Sequence, residues 1–328
     1  MHFIYMDFEL LASEWLRALR GRRSQTALSR RLKYKSNIAY LWESGRAYPT
    51  LARTFEVARA TGLDPVRALG AFFGDGGERP WLGKGNVDPV GLVTPLLDDL
   101  RAGVSLTELG RRTGFSRFAI GRWLDGQTEP RLPQALALIE ACSLRALDFV
   151  ASFVDPASLP SFAGQYRDLQ AARRAAYELP FSQVVVHALE LDAYAALPGH
   201  QPGFLADLLG IEPALEETYL QTLLAAGQIR FDGTRYLPTR VQAVDTRGDV
   251  RSAASLKAYF AQLAVDRLRS GVKAASGYNV FAVSEADYVR IEQLQRSYFT
   301  QLRTIVASSE PTQVVGLAST QLMALTRH

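Results

Sequence analysis

Sliding the 328-residue sequence along itself by 81 positions superposes two stretches without a gap. The first is SQTALSRRLKYKSNIAYLWESGRAYPTL, beginning at Ser24, and the second is SLTELGRRTGFSRFAIGRWLDGQTEPRL, beginning at Ser105. Ser24/Ser105, Thr26/Thr107, Leu28/Leu109, Arg30/Arg111, Arg31/Arg112, Trp42/Trp123, Gly45/Gly126, Pro49/Pro130 and Leu51/Leu132 are identical, and Tyr34/Phe115 is conservative. A repeat of this kind governs the fold, because both copies must be compatible with one supersecondary unit.

Within each copy the pattern reads helix, tight turn, helix, loop, helix. Ser24 and Ser105 suit N-caps, whose side-chain oxygen accepts an otherwise orphaned N–H of the first turn. Leu28 with Leu32, and Leu106 with Leu109, give apolar faces at helical spacing. Ala39/Ile120 and Trp42/Trp123 lie three apart and face inward on the second helix. Gly45 and Gly126 suit the residue after a helix C-terminus, and Pro49 and Pro130 block continuation. Further apolar helices are predicted over Leu51–Thr61 and Leu132–Ser143.

Both copies resemble the helix-turn-helix of the XRE class, the Cro and lambda-repressor type. The first keeps Leu28, Tyr34, Trp42, Glu43, Gly45 and Pro49 but has Lys33 where the family has its turn glycine. If that residue is left-handed, lysine costs about 1 kcal/mol relative to glycine. The second keeps Leu109, Gly110, Gly114, Phe115, Ser116, Ile120, Trp123, Gly126 and Pro130 but has Leu124 in place of the glutamate. That glutamate usually pairs with an arginine of the first helix. Glu43 has Arg17 and Arg20 within sequence reach, and Leu124 can form no such pair.

The resemblance implies double-stranded DNA as the partner, with the second helix of each pair entering the major groove at its N-terminal end. The outward positions near 36–44 and 117–125 are then base-reading candidates: Ser36, Asn37, Tyr40 and Leu41 in the first copy, and Arg117, Phe118 and Arg122, with Gly121 between, in the second. Asparagine matches adenine and arginine matches guanine through two hydrogen bonds each, and Phe118 suits a thymine methyl. Phosphate contacts fall to Arg22, Arg23, Lys33, Lys35 and Arg46, and to Arg111, Arg112 and Arg131. Charge agrees with this. Residues 16–67 hold 12 Lys+Arg against 3 Asp+Glu, residues 101–131 hold 6 against 3, and the remainder is acidic, 19 against 27. A basic region joined to an acidic one points to a polyanion held at one end.

The second half is plainer. A Gly/Pro/Asp-rich loop, about Gly74–Pro89, separates the copies, with Trp81 as a packing anchor. A connecting helix is expected over Gly164–Tyr177. Residues 181–240 read as a winged helix: a helix Phe181–Ala195, two amphipathic helices around Glu212–Pro213, and a hairpin turning at Asp232-Gly233. Its second helix, Glu212–Ala226, has Glu212, Glu216 and Glu217 and no basic residue, so a packing or dimerisation role is expected of it. Beyond Asp245 a strand ending near Val250, a helix Ser255–Arg269, a strand Asn279–Val283, a Ser284-capped helix to about Ala307 and a strand Thr312–Leu325 are expected. This arrangement, over roughly residues 180–328, resembles a C-terminal domain of unknown function in uncharacterised bacterial transcription regulators.

The expected architecture is therefore mainly α: two tandem helix-turn-helix domains, a winged-helix-like segment and a small α+β C-terminal domain. The boundaries read 1–75, a linker 76–89, 90–155, 156–242, and 243–328 for sensing or dimerisation. No apolar run suits a membrane span, no signal peptide is evident, and Cys142 is the only cysteine, so a reducing, cytoplasmic and nucleoid-associated setting is expected. His2, His187, His200 and His328 show no metal spacing, and His187 reads as a core residue. No catalytic constellation, metal or cofactor is expected. The functional expectation is a sequence-specific regulator, a repressor acting as a homodimer, with a protein or small-molecule effector at the C-terminal half. The alternative is an antitoxin- or immunity-type protein partner with secondary DNA binding.

Overall fold

The computed structural model describes residues 6–74, 79–83, 88–101, 103–239, 250–307 and 309–326. The fold is mainly α, with one two-stranded antiparallel sheet among the described residues. It divides into two compact units, Met1–Arg167 and Asp168–His328. Both helix-turn-helix copies thus lie in one unit and share one apolar core, where the sequence suggested separate domains.

The repeat is longer than the aligned stretches. In the first copy, helices α1 (Phe8–Arg20), α2 (Gln25–Arg31), α3 (Ile38–Glu43), α4 (Leu51–Thr61) and α5 (Pro65–Phe73) follow one another. A short α6 (Pro80–Gly83) intervenes before the second copy: α7 (Pro89–Arg101), α8 (Leu106–Thr113), α9 (Arg117–Leu124), α10 (Leu132–Ser143) and α11 (Ala146–Ala151). Adding 81 to the first residue of α1, α2, α4 and α5 gives that of α7, α8, α10 and α11. The outer helices share scattered identities, with Leu11/Leu92, Leu16/Leu97, Leu19/Leu100 and Arg20/Arg101 the same in α1 and α7, and their buried positions correspond: Leu11/Leu92, Trp15/Leu96, Phe55/Leu136 and Leu69/Val150 are all fully buried. Burying each such side chain stabilises the unit by about 1.5–3 kcal/mol, whichever apolar residue fills the place.

Capping and turn chemistry follow the sequence closely. Ser24 Oγ accepts from Ala27 N at 3.1 Å and Ser105 Oγ from Glu108 N at 3.1 Å. Gly45 and Gly126 are left-handed, with φ of 73° and 70°. A methyl group at Gly45 would come within 3.1 Å of the Tyr48 hydroxyl, and one at Gly126 within 3.1 Å of Thr94 Oγ1, so both the backbone and the space favour glycine. The ring after each first turn packs edge-on against its tryptophan: Tyr34 on Trp42 at 5.8 Å, and Phe115 on Trp123 at 5.4 Å. Trp81 anchors the connecting segment against Phe73, and Arg79 ties it to Asp99 at 2.5 Å.

The two copies embrace each other reciprocally. Helix α1 packs on α10, and the equivalent α7 packs on α4. Between the copies, Leu51 N donates to Pro130 O at 3.2 Å and Leu132 N donates to Pro49 O at 2.8 Å, flanking an antiparallel bridge of Thr50 with Arg131. These residues are 81 apart, so exchanging the copies maps every one of these contacts onto another of the set. That is the signature of a two-fold, isologous interface.

Helix α12 (Ala163–Glu178), which begins before the second unit does, is followed by α13 (Ser182–Ala188), α14 (Asp192–Ala195), α15 (Phe204–Leu209) and α16 (Pro213–Ala225). The hairpin β1 (Ile229–Phe231) and β2 (Tyr236–Pro238) follows, then α17 (Val250–Arg269) and α18 (Glu285–Ala307). A core around Val185, Tyr194, Leu205, Leu220 and Leu223 holds the winged-helix-like part together.

Several expectations need correction here. The Phe181–Ala195 helix is two helices, interrupted around Leu189–Leu191, where buried leucines turn the chain inward. The hairpin pairs Phe231 with Tyr236, so its loop has four residues, Asp232–Arg235. Asp232 Oδ1 closes it by accepting from Thr234 N and Arg235 N, each at 2.9 Å, and from Thr234 Oγ1. Those bonds hold the carboxyl at about 2. Helix α17 starts at Val250, where a strand end was expected; the rest of that strand falls outside the described residues. Asn279–Val283 and Thr312–Leu325 form no strands, because neither has a ladder partner. Tyr278 and Val280 are 96 % and 78 % exposed. Ser284 does cap α18, accepting from Asp287 N at 3.1 Å. His187 is exposed and pairs with Glu190 at 3.0 Å, so it is no core residue.

Lys33 has φ 64°, matching Gly114 at 76° in the second copy. Lys33→Gly should therefore raise the unfolding free energy by about 1 kcal/mol, read as a higher urea midpoint with an unchanged slope.

Candidate nucleic-acid interface

Helices α3 and α9, the candidate reading helices, are each fixed from behind by apolar contacts and present different faces to solvent. Ala39, Trp42, Ile120 and Trp123 are buried, as the spacing predicted. The buried polar position shows how the copies differ. Glu43 is held by Arg20, with Nε–Oε1 at 2.5 Å and Nη2–Oε2 at 3.0 Å, and by Gln25 Nε2 at 2.9 Å; Arg17 is farther, at 3.9 Å. The Glu43 hydrogen bond raises the Arg20 pKa. In the second copy the equivalents of Arg20, Gln25 and Glu43 are Arg101, Leu106 and Leu124. Leu106 and Leu124 join the apolar core, and Arg101 donates to Val104 O at 2.9 Å, just as Arg20 donates to Arg23 O. A polar triad has been replaced as a set by an apolar pair, which leaves no buried charge unpaired.

The start of the reading helix also differs. Ser116 caps α9, accepting from Ala119 N at 3.2 Å. Its equivalent in the first copy is Lys35, which has no acceptor to offer, and α3 begins later, at Ile38, with Asn37 as N-cap. The Ser29 hydroxyl braces this turn: it accepts from Ala39 N at 3.1 Å and lies 3.2 Å from Asn37 Oδ1 and 2.8 Å from Gln25 O. Its single proton serves one of the two oxygens at a time.

Among the base-reading candidates, Ser36, Asn37, Tyr40, Arg117, Phe118 and Arg122 are exposed, while Leu41 is half-buried. Phe118 is 71 % exposed, with the Arg117 guanidinium 5.0 Å from its ring centre. Arg46 lies 5.4 Å from the Tyr40 ring centre. An exposed aromatic stacked with a guanidinium presents a flat, cationic, partly apolar surface, and the stacking restrains both side chains.

Of the phosphate candidates, Arg22, Arg23, Lys33, Lys35, Arg46, Arg111 and Arg131 are exposed. Arg131 also donates to Tyr48 O at 3.1 Å. Arg111 is bound to Glu108, with bonds of 2.9 and 2.7 Å. Arg112 requires correction as a phosphate contact. Its side chain is 11 % exposed, and it donates to Glu108 Oε1 at 2.7 Å and to Ala141 O at 2.8 Å, so it ties α8 to α10 instead of facing solvent. Arg30 and Arg31, passed over by the motif reading, are exposed beside Lys33 and Lys35. Their position on the outer face of α2, next to the turn, was readable from the helical period.

Sequence reasoning also missed a cluster in the second unit. His200 lies with Nε2 3.6 Å from Glu216 Oε1 and Nδ1 3.3 Å from the Tyr194 hydroxyl, and its ring meets Tyr236 edge-on at 4.8 Å. Glu216 accepts from Gly203 N at 3.2 Å and Ala206 N at 2.7 Å, satisfying the start of α15. The members come from α14, the loop after it, α16 and β2, so no spacing could announce them. Around α16, Glu212 and Glu217 are exposed and no base accompanies them. Among the described residues no group of His, Cys, Asp and Glu could hold a metal ion, and no helix is long and apolar enough to cross a membrane. Burial pushes the Cys142 thiol up to about 12, which suits a packed hydrophobe and not a nucleophile.

Hydrogen bonds from Arg111 and then Arg112 hold the Glu108 carboxyl at about 2, against an ordinary 4.5. A depressed carboxylate contributes stability that is complete above pH 4.5 and lost as pH falls toward 2. The urea midpoint of the native chain should therefore drop more steeply across that window than that of Glu108→Gln, the two curves converging near its acid end.

Comparison with known proteins gives one similarity. No curated protein and no solved structure matches the chain. Residues 166–323 match the family described as a domain of unknown function, DUF4423, in agreement with the resemblance seen in the C-terminal sequence.

Proposed function

We propose that this chain is a sequence-specific regulator of transcription that binds double-stranded DNA through the first unit and acts as a repressor by occupying the major groove. The observation that carries this reading is the contrast between frame and face. The inward positions Ala39/Ile120 and Trp42/Trp123 of α3 and α9 are buried and apolar in both copies, whereas Ser36, Asn37, Tyr40, Arg117, Phe118 and Arg122 are exposed and polar, cationic or aromatic. Core packing alone gives no reason for Arg117, Phe118 and Arg122 to stand together on an exposed helix.

Electrostatics supports it independently. Arg22, Arg23, Arg30, Arg31, Lys33, Lys35 and Arg46 are all exposed around α2 and α3, while Glu43, the one acid in the sequence between Arg22 and Arg46, is buried and neutralised by Arg20. Such a field attracts the phosphate backbone and gives salt-dependent affinity, while base edges are read by the few residues on the reading helices.

Footprinting on genomic fragments tests the proposal: protection should resist an excess of scrambled duplex. Lys35→Ala should weaken binding to every duplex alike and lower the slope of log affinity against log salt by about one. Protection that scrambled DNA removes, or a slope unmoved by the substitution, would overturn this reading.

A further inference from the structure

We infer that one chain carries both arms of a DNA reader, and that its target is an inverted repeat with two unlike arms, bound by a single copy in one orientation. This rests on the DNA reading above and adds to it the symmetry and stoichiometry of the site. From the sequence, a homodimer is expected.

The first support is the exchange relation. A direct repeat would be read by copies related by translation along the duplex, and their contacts would be head-to-tail. Here α1 packs on α10 while α7 packs on α4, Leu51 and Leu132 donate reciprocally to Pro130 and Pro49, and α5 packs on its own equivalent α11. Only a two-fold axis produces that set. The axis passes by the bridge of Thr50 with Arg131, so the loops that follow α3 and α9 meet there and the reading helices flank it. Exposed Arg131 marks where this junction reaches the surface. B-DNA has local dyads of its own, and a two-fold pair of reading helices matches them over an inverted repeat with half-sites about one turn, roughly 10 bp, apart.

The second support is the unlike faces. At equivalent outward positions stand Ser36/Arg117, Asn37/Phe118, Tyr40/Gly121 and Leu41/Arg122. No pair shares its chemistry, so the arms of the site differ and the chain has a defined direction on it. The contacts a homodimer would supply in this arrangement are already made within the chain, and a second copy is not needed to complete the reader.

Selection from a random duplex library with the full chain, followed by light scattering on the complex with the winning sequence, tests this. The expected result is one chain per site and two dissimilar arms in inverted orientation. Asn37→Ala and Arg117→Ala, both at exposed positions, should each lower discrimination about 10-fold in one arm, and not the same arm. Two chains per site, arms in the same orientation, identical arms, or both substitutions blurring the same arm would overturn the inference while leaving sequence-specific binding intact. A library that returns no motif would remove the DNA reading and this inference together.

Discussion

The exchange packing of α1 on α10 and α7 on α4 is the contact on which the first unit depends. Neither copy encloses its own core. Trp15 is fully buried against Phe149 and Phe153, which belong to the other copy, and Phe55 stacks on Phe153 at 5.7 Å. Each copy's long helices complete the other's apolar surface, so α3 and α9 are set by one shared core. Their relative placement follows from packing at interior density, where small displacements cost contacts on every side. The placement does not rely on a subunit equilibrium.

That shared core explains why two imperfect motifs coexist. Lys33 holds a left-handed turn at a cost its copy can bear, because Tyr34 and Trp42 still meet edge-on and Arg53 covers the Tyr34 ring at 4.8 Å. Leu124 has lost the carboxylate of Glu43, but the loss is matched by Leu106 at the position of Gln25. Had only one member of the triad changed, a buried charge or amide would have been stranded, which costs far more than the pair contributes.

Much of this was legible in the sequence, and for definite reasons. Serine caps, left-handed glycines and the inward tryptophans are dictated locally, within one or two turns, and they appear where the spacing put them. The equivalence of α1 with α7 was only thinly legible, in Leu11/Leu92, Leu16/Leu97, Leu19/Leu100 and Arg20/Arg101, because burial fixes apolar character and not identity: Trp15 and Leu96 fill the same place. The two-fold was hidden as well, since reciprocal packing is a property of pairs of copies. The strand-like segments Asn279–Val283 and Thr312–Leu325 mislead for the opposite reason. A β-branched or apolar composition expresses a propensity, and without a partner edge it yields extended chain only. Arg112 looked like Arg111 because one residue along a helix changes direction by 100°, which turns one arginine to solvent and its neighbour onto α10.

The symmetric frame carries two unlike faces. Around α2 and α3 the exposed cations outnumber anything comparable in the second copy, where Arg111 is already paired with Glu108. The second copy instead concentrates Arg117, Phe118 and Arg122 on the reading helix itself. On the DNA reading proposed above, the first arm supplies affinity through phosphates, which is indifferent to sequence and sensitive to salt. The second arm supplies discrimination through base edges. A homodimer of identical arms must build both properties into one surface. Fusing the arms into one chain frees each to specialise, because the two-fold core holds them in register whatever their faces become.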